Sequence, residues 1–281
     1  AVLSWYSRLL LRFSSTMAPM DNSNEAATPM MQQYLELKQE HQDEVLFFRL
    51  GDFYEMFMDD AKEVSRLLNL TLTARNGVPM CGIPHHAAKN YVKPLLDAGK
   101  KVAVCKQIEL PQGAKGIAKR EVVQIVTPAT VVEDDFLEAA DTNYLCSVIK
   151  QRNLLSCSWC SVSEGLFFTS MIPLDERYES LRSFLEQIKP HEIVTAEDDD
   201  IMDEGFGATL RQANAMVTRM PSWQCTVKFG YNLLRERFNT VTLKQFGLLE
   251  TDGHLASAGA LLNYLLSTSR SSVPHITNVV R

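Results

Sequence analysis

A series of short apolar runs constrains this chain most, because each is too short to be a buried helix and each is bounded by turn residues. The runs are residues 45–50, 101–108, 121–126, 144–150, 154–161, 166–171 and 191–196. Runs of this length, rich in Val, Ile, Phe, Tyr and Trp, read as strands. Amphipathic segments with helical spacing lie between them. Thr28 is a natural N-cap with Pro29 at the first helical position, and Met31, Tyr34, Leu35 and Lys38 carry that helix forward. Further helices are predicted over 59–69, 86–98, 175–188 and 254–266. Residues 71–73 and 78–81 read as a hairpin around Asn76-Gly77. Strands alternating with helices predict an α/β fold.

A chain of 281 residues has room for about two domains. The first α/β unit closes near Pro128, residues 131–143 form an acidic linker, and a β-β-β-α-β order fills a second unit over 144–250. From Tyr231 the pattern turns helical, and residues 251–281 read as the start of a further, truncated helical domain. Asp198–Asp200 with Asp203-Glu204 read as an acidic loop. Residues 1–16 carry Arg8 and Arg12, no acid and a weakly amphipathic pattern. Residues 1–27 are therefore expected to be a disordered extension or a mis-assigned start, with organelle targeting a minor alternative.

Net charge over the whole chain is −6, which by itself argues against nucleic acid. Its distribution reverses that inference. Residues 75–120 hold nine Lys/Arg (Arg75, Lys89, Lys93, Lys100, Lys101, Lys106, Lys115, Lys119 and Arg120) against only Asp97 and Glu109. Such a stretch suits a phosphate-facing surface. Arg75, Lys115, Lys119 and Arg120 are the candidate DNA-binding cations.

Enzymatic chemistry finds little support. Phosphate-binding loops of the Gly-x-x-x-x-Gly-Lys-Ser/Thr kind are absent. Consecutive Asp198, Asp199 and Asp200 cannot all aim at one metal, and the early strands of the second unit offer only Glu164 at a turn. Cys157 and Cys160 are spaced like zinc ligands but lie in an extended segment, where i and i+3 face opposite ways. Neither metal nor cofactor is expected in the chain. His85-His86 after Pro84 reads as a turn.

Residues 51–57 read Gly-Asp-Phe-Tyr-Glu-Met-Phe and follow the apolar run 45–50. Placed at a strand-to-helix corner, Phe53 can wedge against a base stack while Glu55 contacts a base edge. The simpler alternative makes Phe53 and Phe57 the start of an apolar helix stripe continuing through Ala61, Val64 and Leu68.

From Thr28 onward the chain resembles the N-terminal part of the bacterial MutS family of DNA mismatch-recognition ATPases. The resemblance rests on TPMMQQYLELK from Thr28, FFRLGDFYEMFMDDA from Phe47, PMCGIPHHA from Pro79, VAVCKQIE from Val102, KREVVQIVTPAT ending at Thr130, EGLF near Gly165 and LLNYLLSTSRSSVPHI ending at Ile276. It implies a mixed-sheet mismatch-binding domain over 28–130, a ribonuclease-H-like connector domain over 144–250, and the start of a helical core. Phe53 becomes the base-stacking wedge and Glu55 the mismatch-contacting carboxylate. The family also implies a homodimer, a MutL-type partner reached through the connector, a cytoplasmic, nucleoid-associated location, and ATP with Mg in a C-terminal domain. The family commonly has Tyr at His85, Gly at Ala129 and Arg at Gln124, so DNA contacts near His85 and Gln124 do not carry over. Two other readings stand beside this one: a relative that binds other DNA structures, and a ribonuclease-H-type enzyme.

Overall fold

The computed structural model describes residues 28–108, 118–130, 143–268, 276 and 278–281. The extension, the Gly/Lys loop with Lys115, and the acidic linker lie outside the described residues. Among those residues no helix is long and apolar enough to cross a membrane.

Helix α1 (Pro29–Glu40) opens as its sequence dictates, with the Met31 amide donating to Thr28 Oγ1 and Pro29 in the first turn. Then follow β1 (Glu44–Leu50), β2 (Phe53–Phe57), α2 (Met58–Leu68), β3 (Thr73–Arg75), β4 (Val78–Pro84), α3 (Lys89–Asp97), β5 (Lys101–Gln107) and β6 (Arg120–Val126). They build a six-stranded sheet of order β3-β4-β2-β1-β5-β6. Only β1 and β5 pair in parallel, so the sheet is mixed. Asn76 and Gly77 both have positive φ, the backbone that a two-residue hairpin between right-twisted strands requires.

Alternation along the strands separates two cores. Val45, Phe47, Tyr54, Met56, Ile83, Val102 and Val104 face α2 and α3. Leu46, Phe48, Phe57, Ala103, Cys105 and Val122 face α1 through Met31 and Tyr34. One expectation is corrected here. Gly51-Asp52 is not a strand-to-helix corner but the turn of a β1–β2 hairpin, and Leu50 pairs with Phe53 across it. Phe53 and Phe57 therefore lie on a strand, and the helix stripe begins only after them.

The second unit contains β7 (Tyr144–Lys150), β8 (Leu154–Ser161), β9 (Leu166–Pro173), α4 (Glu179–Ile188), β10 (Glu192–Ala196), α5 (Asp199–Met202), α6 (Glu204–Gln212), β11 (Met216–Met220), α7 (Val227–Arg237) and α8 (His254–Thr268). Its sheet runs β11-β10-β7-β8-β9, with β7, β10 and β11 parallel and β7, β8 and β9 antiparallel. Helices α4 and α6 cover one face, and α7 with α8 cover the other. Cys157 belongs to the first of these cores and Cys160 to the second, so one metal cannot join them.

The expected acidic loop is instead helical. Asp203 caps α6 by accepting from the Phe206 amide, and Asp199 accepts from the Lys150 amide. Strand β11 is a further element that the sequence pattern did not announce. Helix α8, expected to begin a separate helical domain, is packed into the second unit. It is apolar on nearly every side and buried along most of its length, so it needs cover all round. The β-sheet supplies one side and α7 another. The approach to α7 is unusually close: a Cβ on Gly230 would stand 1.9 Å from the Leu255 carbonyl oxygen, and one on Gly259 would stand 2.2 Å from Gly230 Cα. Along the other side, Ser257 Oγ lies 2.7 Å from both Ser156 Oγ and Ser158 Oγ, so the hydroxyls buried by β8 and α8 satisfy each other.

The two units meet around a buried charge. Lys101 Nζ, at the start of β5, donates to Thr218 Oγ1 at 2.8 Å and to the Tyr264 hydroxyl at 3.0 Å. It lies 3.5 Å from Glu192 Oε1, a side chain with no exposed surface. Thr218 and Tyr264 in turn donate to the same Glu192 oxygen. Burial and the neighbouring Glu192 carboxylate push the Tyr264 phenol well above its usual pKa, so it remains a donor.

Two stability predictions follow from these contacts. Gly230→Ala must force α7 and α8 apart and should cost about 3 kcal/mol or more, at the upper end for overpacking. Chemical denaturation followed through a second-unit probe measures this. Lys101→Met leaves Glu192 buried without its cation and should cost about 3 kcal/mol. Restoring stability by adding Glu192→Gln to that variant would confirm that the stranded charge, rather than lost packing, is responsible.

Candidate nucleic-acid interface

The hairpin tip is built by its backbone. Gly51 has φ +56, a region that other residues enter at a cost. Arg49 Nε donates to Gly51 O at 2.6 Å, and the His85 amide donates to Asp52 O at 2.9 Å. His85 Nδ1 also lies 3.0 Å from that carbonyl, so His85 braces the turn.

Beyond the turn, β2 points Phe53, Glu55 and Phe57 to one face and buries Tyr54 and Met56 on the other. The three residues on the first face meet different surroundings. Phe57 is fully buried beneath α1, its ring 5.0 Å from that of Tyr34. The Tyr34 hydroxyl donates to Phe57 O at 3.1 Å and to Asp60 Oδ2 at 3.2 Å. Asp60 also accepts from the Leu46 amide and pairs with Lys38. Burial drives the Tyr34 phenol well above its ordinary pKa, which keeps it protonated as the donor in this anchor. Phe53 lies outside the core that α1 covers and is 47% exposed.

Glu55 sits between these extremes. Its side chain is 15% exposed, and Oε2 lies 3.1 Å from Arg75 Nη1 on β3. Strand pairing puts Arg75 on the same face, since Arg75 pairs with Val78 and Glu55 with Gly82 along β4. Gly82 lies opposite Glu55 in the ladder, and a Cβ there would stand 3.6 Å from Glu55 Cγ, an ordinary packing distance.

The structure divides the basic stretch. Lys100 pairs with Glu63 at 2.6 Å, Lys101 is committed between the two units, and Lys119 pairs with Glu121 at 2.7 Å. Arg120 is the clearest correction. Expected to touch DNA, it is buried, and its guanidinium donates to Arg49 O at 2.7 Å and Ala118 O at 2.9 Å. It also lies 5.1 Å over the Phe48 ring. Its guanidinium is therefore held by backbone carbonyls and the Phe48 ring. Lys119 remains exposed, whereas Lys115 lies outside the described residues.

Positive charge gathers elsewhere. A cleft of about 530 Å³ on the Tyr54 face is lined by Arg49, His85, His86, Lys89, Lys106 and Gln124, with no acidic side chain among its described lining residues. Lys89 and Lys106 belong to the basic stretch. Arg49 and the histidines join them only because β1, β4 and β5 share the sheet. The Cys105 and Cys81 thiols are pushed by burial to about 12 and about 11, so both are structural groups.

Comparison with known proteins matches this architecture segment by segment. Residues 28–135 match the family model described as MutS domain I, and residues 143–277 match MutS domain II. A DNA mismatch repair protein MutS from Treponema denticola is 41% identical over 268 residues, covering 91% of this chain and 30% of that protein. Its counterpart from Syntrophomonas wolfei is 38% identical over 257 residues, covering 90% and 30%. A third, from Ehrlichia ruminantium, is 38% identical over 263 residues, covering 92% and 32%. The chain thus spans about 30% of the length of the curated relatives it matches.

Arg120→Ala should destabilise the first unit by about 2 kcal/mol, because it removes charge-assisted hydrogen bonds and ring contact from a buried site. Thermal denaturation reads this. An unchanged melting temperature together with weakened DNA binding would restore Arg120 to the interface.

Proposed function

The chain belongs to the MutS family, and on that premise we propose that it recognises mispaired or unpaired bases in duplex DNA, with Phe53 as a stacking wedge and Glu55 as the base-reading carboxylate. The observation that carries this reading is the half-exposed Phe53 ring at the start of a well-packed strand, with Glu55 on the same face.

The physics is a balance of deformation against stacking. Bending a duplex site costs of order 1–6 kcal/mol, and unstacking a step costs about a few kcal/mol more. A mispaired or unpaired base has already lost part of its pairing and stacking, so opening the site is cheaper there. An aromatic side chain stacked on a base returns about 1–3 kcal/mol. That return is too small to open perfect duplex and large enough to tip a weakened site. Rigidity matters in this balance. A mobile ring would lose entropy on insertion, whereas β2 is hydrogen-bonded on both sides and anchored at Phe57 by Tyr34. The cleft around Arg49, Lys89 and Lys106 opens beside the hairpin tip and offers a sequence-independent grip on phosphate.

The same premise extends to the intact protein. ATP with Mg would act outside these residues, in a cytoplasmic homodimer that engages a MutL-type partner through the second unit. Neither sheet supplies a phosphate-binding loop, so the role proposed for this chain is detection.

Phe53→Ala in the full-length protein should reduce the preference for mismatched over matched duplex by about tenfold or more and leave the fold intact. Phe57→Ala should instead cost about 3–5 kcal/mol of stability. Binding of both duplexes at one salt concentration, with denaturation of each variant, checks the pair. Discrimination retained by Phe53→Ala would reduce Phe53 to an ordinary surface ring.

A further inference from the structure

Glu55 presents a problem that its own position does not solve. A carboxylate brought toward DNA is repelled by phosphates, and a flexible one would read a base edge poorly. The structure places one cation against it. Arg75 Nη1 contacts Glu55 Oε2 at 3.1 Å, and among the described residues Oε1 carries no hydrogen bond. Arg75 comes from β3, at the outer edge of the sheet, and 49% of its side chain remains exposed while paired. The two residues are twenty positions apart and meet only because the Asn76-Gly77 hairpin returns β3 along β4.

We infer that Arg75 is a positioning and specificity-determining residue, which holds Glu55 by one oxygen and presents the other to the base. This rests on the wedge reading of Phe53 and Glu55. The guanidinium neutralises the carboxylate as it nears the backbone and restricts its rotation by occupying Oε2. Oε1 is left to accept from a base on the face that also carries Phe53. Correct duplex keeps its bases paired and stacked and resists the deformation that brings one against Oε1, so the held carboxylate gains little there. Arg75 thereby acts on discrimination through Glu55, which separates it from a cation that only touches phosphate. Its remaining donors stay free to approach the backbone once the wedge is seated.

A double-mutant cycle in the full-length protein tests this, with matched and single-mismatch duplexes compared at one salt concentration. Arg75→Ala should lower mismatch preference about three- to tenfold, the range for losing a charge-assisted contact. The same change made in Glu55→Gln should have little further effect on preference. Arg75→Lys, which restores charge without the planar fork, should recover part of the loss. Equal weakening of both duplexes by Arg75→Ala, with or without Glu55, would overturn the inference and leave Arg75 a phosphate contact. A preference unchanged in Arg75→Ala would overturn it as well, while leaving the Phe53 wedge standing. If the unsubstituted protein shows no mismatch preference, the reading of the site fails and this inference fails with it. Arg75 is on the edge strand and half-exposed, and circular dichroism of Arg75→Ala and Arg75→Lys establishes that each variant is folded.

Discussion

Glu192 is fully buried at the seam between two sheets, and the packing of the two units depends on how that charge is satisfied. A carboxylate in such a place is costly unless a cation and hydrogen-bond donors reach it. Lys101 comes from the first sheet, Thr218 and Tyr264 from the second unit, and the hydroxyls bridge between the two charges. A purely apolar seam would tolerate sliding, because the hydrophobic effect has no direction. Two hydroxyl donors converging on one oxygen, with a cation behind them, do not tolerate it. The seam is therefore one relative placement of the units, and the strand carrying the exposed Phe53 is held in a defined relation to the second unit.

Within the first unit, the face beneath α1 is only partly covered. Helix α1 packs over Leu46, Phe48 and Phe57 and leaves the hairpin end of the same face open. Strand geometry places Phe53, Glu55 and Phe57 in line, so one strand carries both a buried anchor and a half-exposed ring. The anchor is well secured: Tyr34, Asp60 and Lys38 form a connected polar group beneath α1. Phe53 is left to solvent. Met58 follows at φ +55, a conformation costing about 1–3 kcal/mol for a residue with a Cβ. That turn lets the chain leave the strand and enter α2 without disturbing the alternation before it.

Charge in the first unit also sorts by position. Several cations of the basic stretch are spent on nearby carboxylates or on backbone, as Lys100, Lys119 and Arg120 show. A run of positive residues is therefore a poor guide to a phosphate-facing surface once the chain folds. The cleft on the Tyr54 face, assembled from β1, β4, α3 and β5, has the concentration of positive charge that the linear stretch suggested.

Much was legible in the chain itself. Short apolar runs gave most of the strands, though not β2 or β11, Thr28-Pro29 gave the first helix start, and Asn76-Gly77 gave a hairpin, because these depend on local periodicity and backbone preference. The aromatic–carboxylate spacing at Phe53 and Glu55, with the extended motif matches, identified the family and the candidate edge. Periodicity could not decide whether 53–57 was strand or helix, since Phe53 and Phe57 satisfy the helical spacing and the two-residue alternation alike. Pairing with β1 and β4 decided it. The burial of Arg120, the pairing of Glu55 with Arg75 and the meeting of Lys101 with Glu192 were likewise invisible. Spacing along a chain fixes which face a side chain takes within its own element. Which opposite charge it meets depends on how distant elements are brought together, and only the folded sheets determine that.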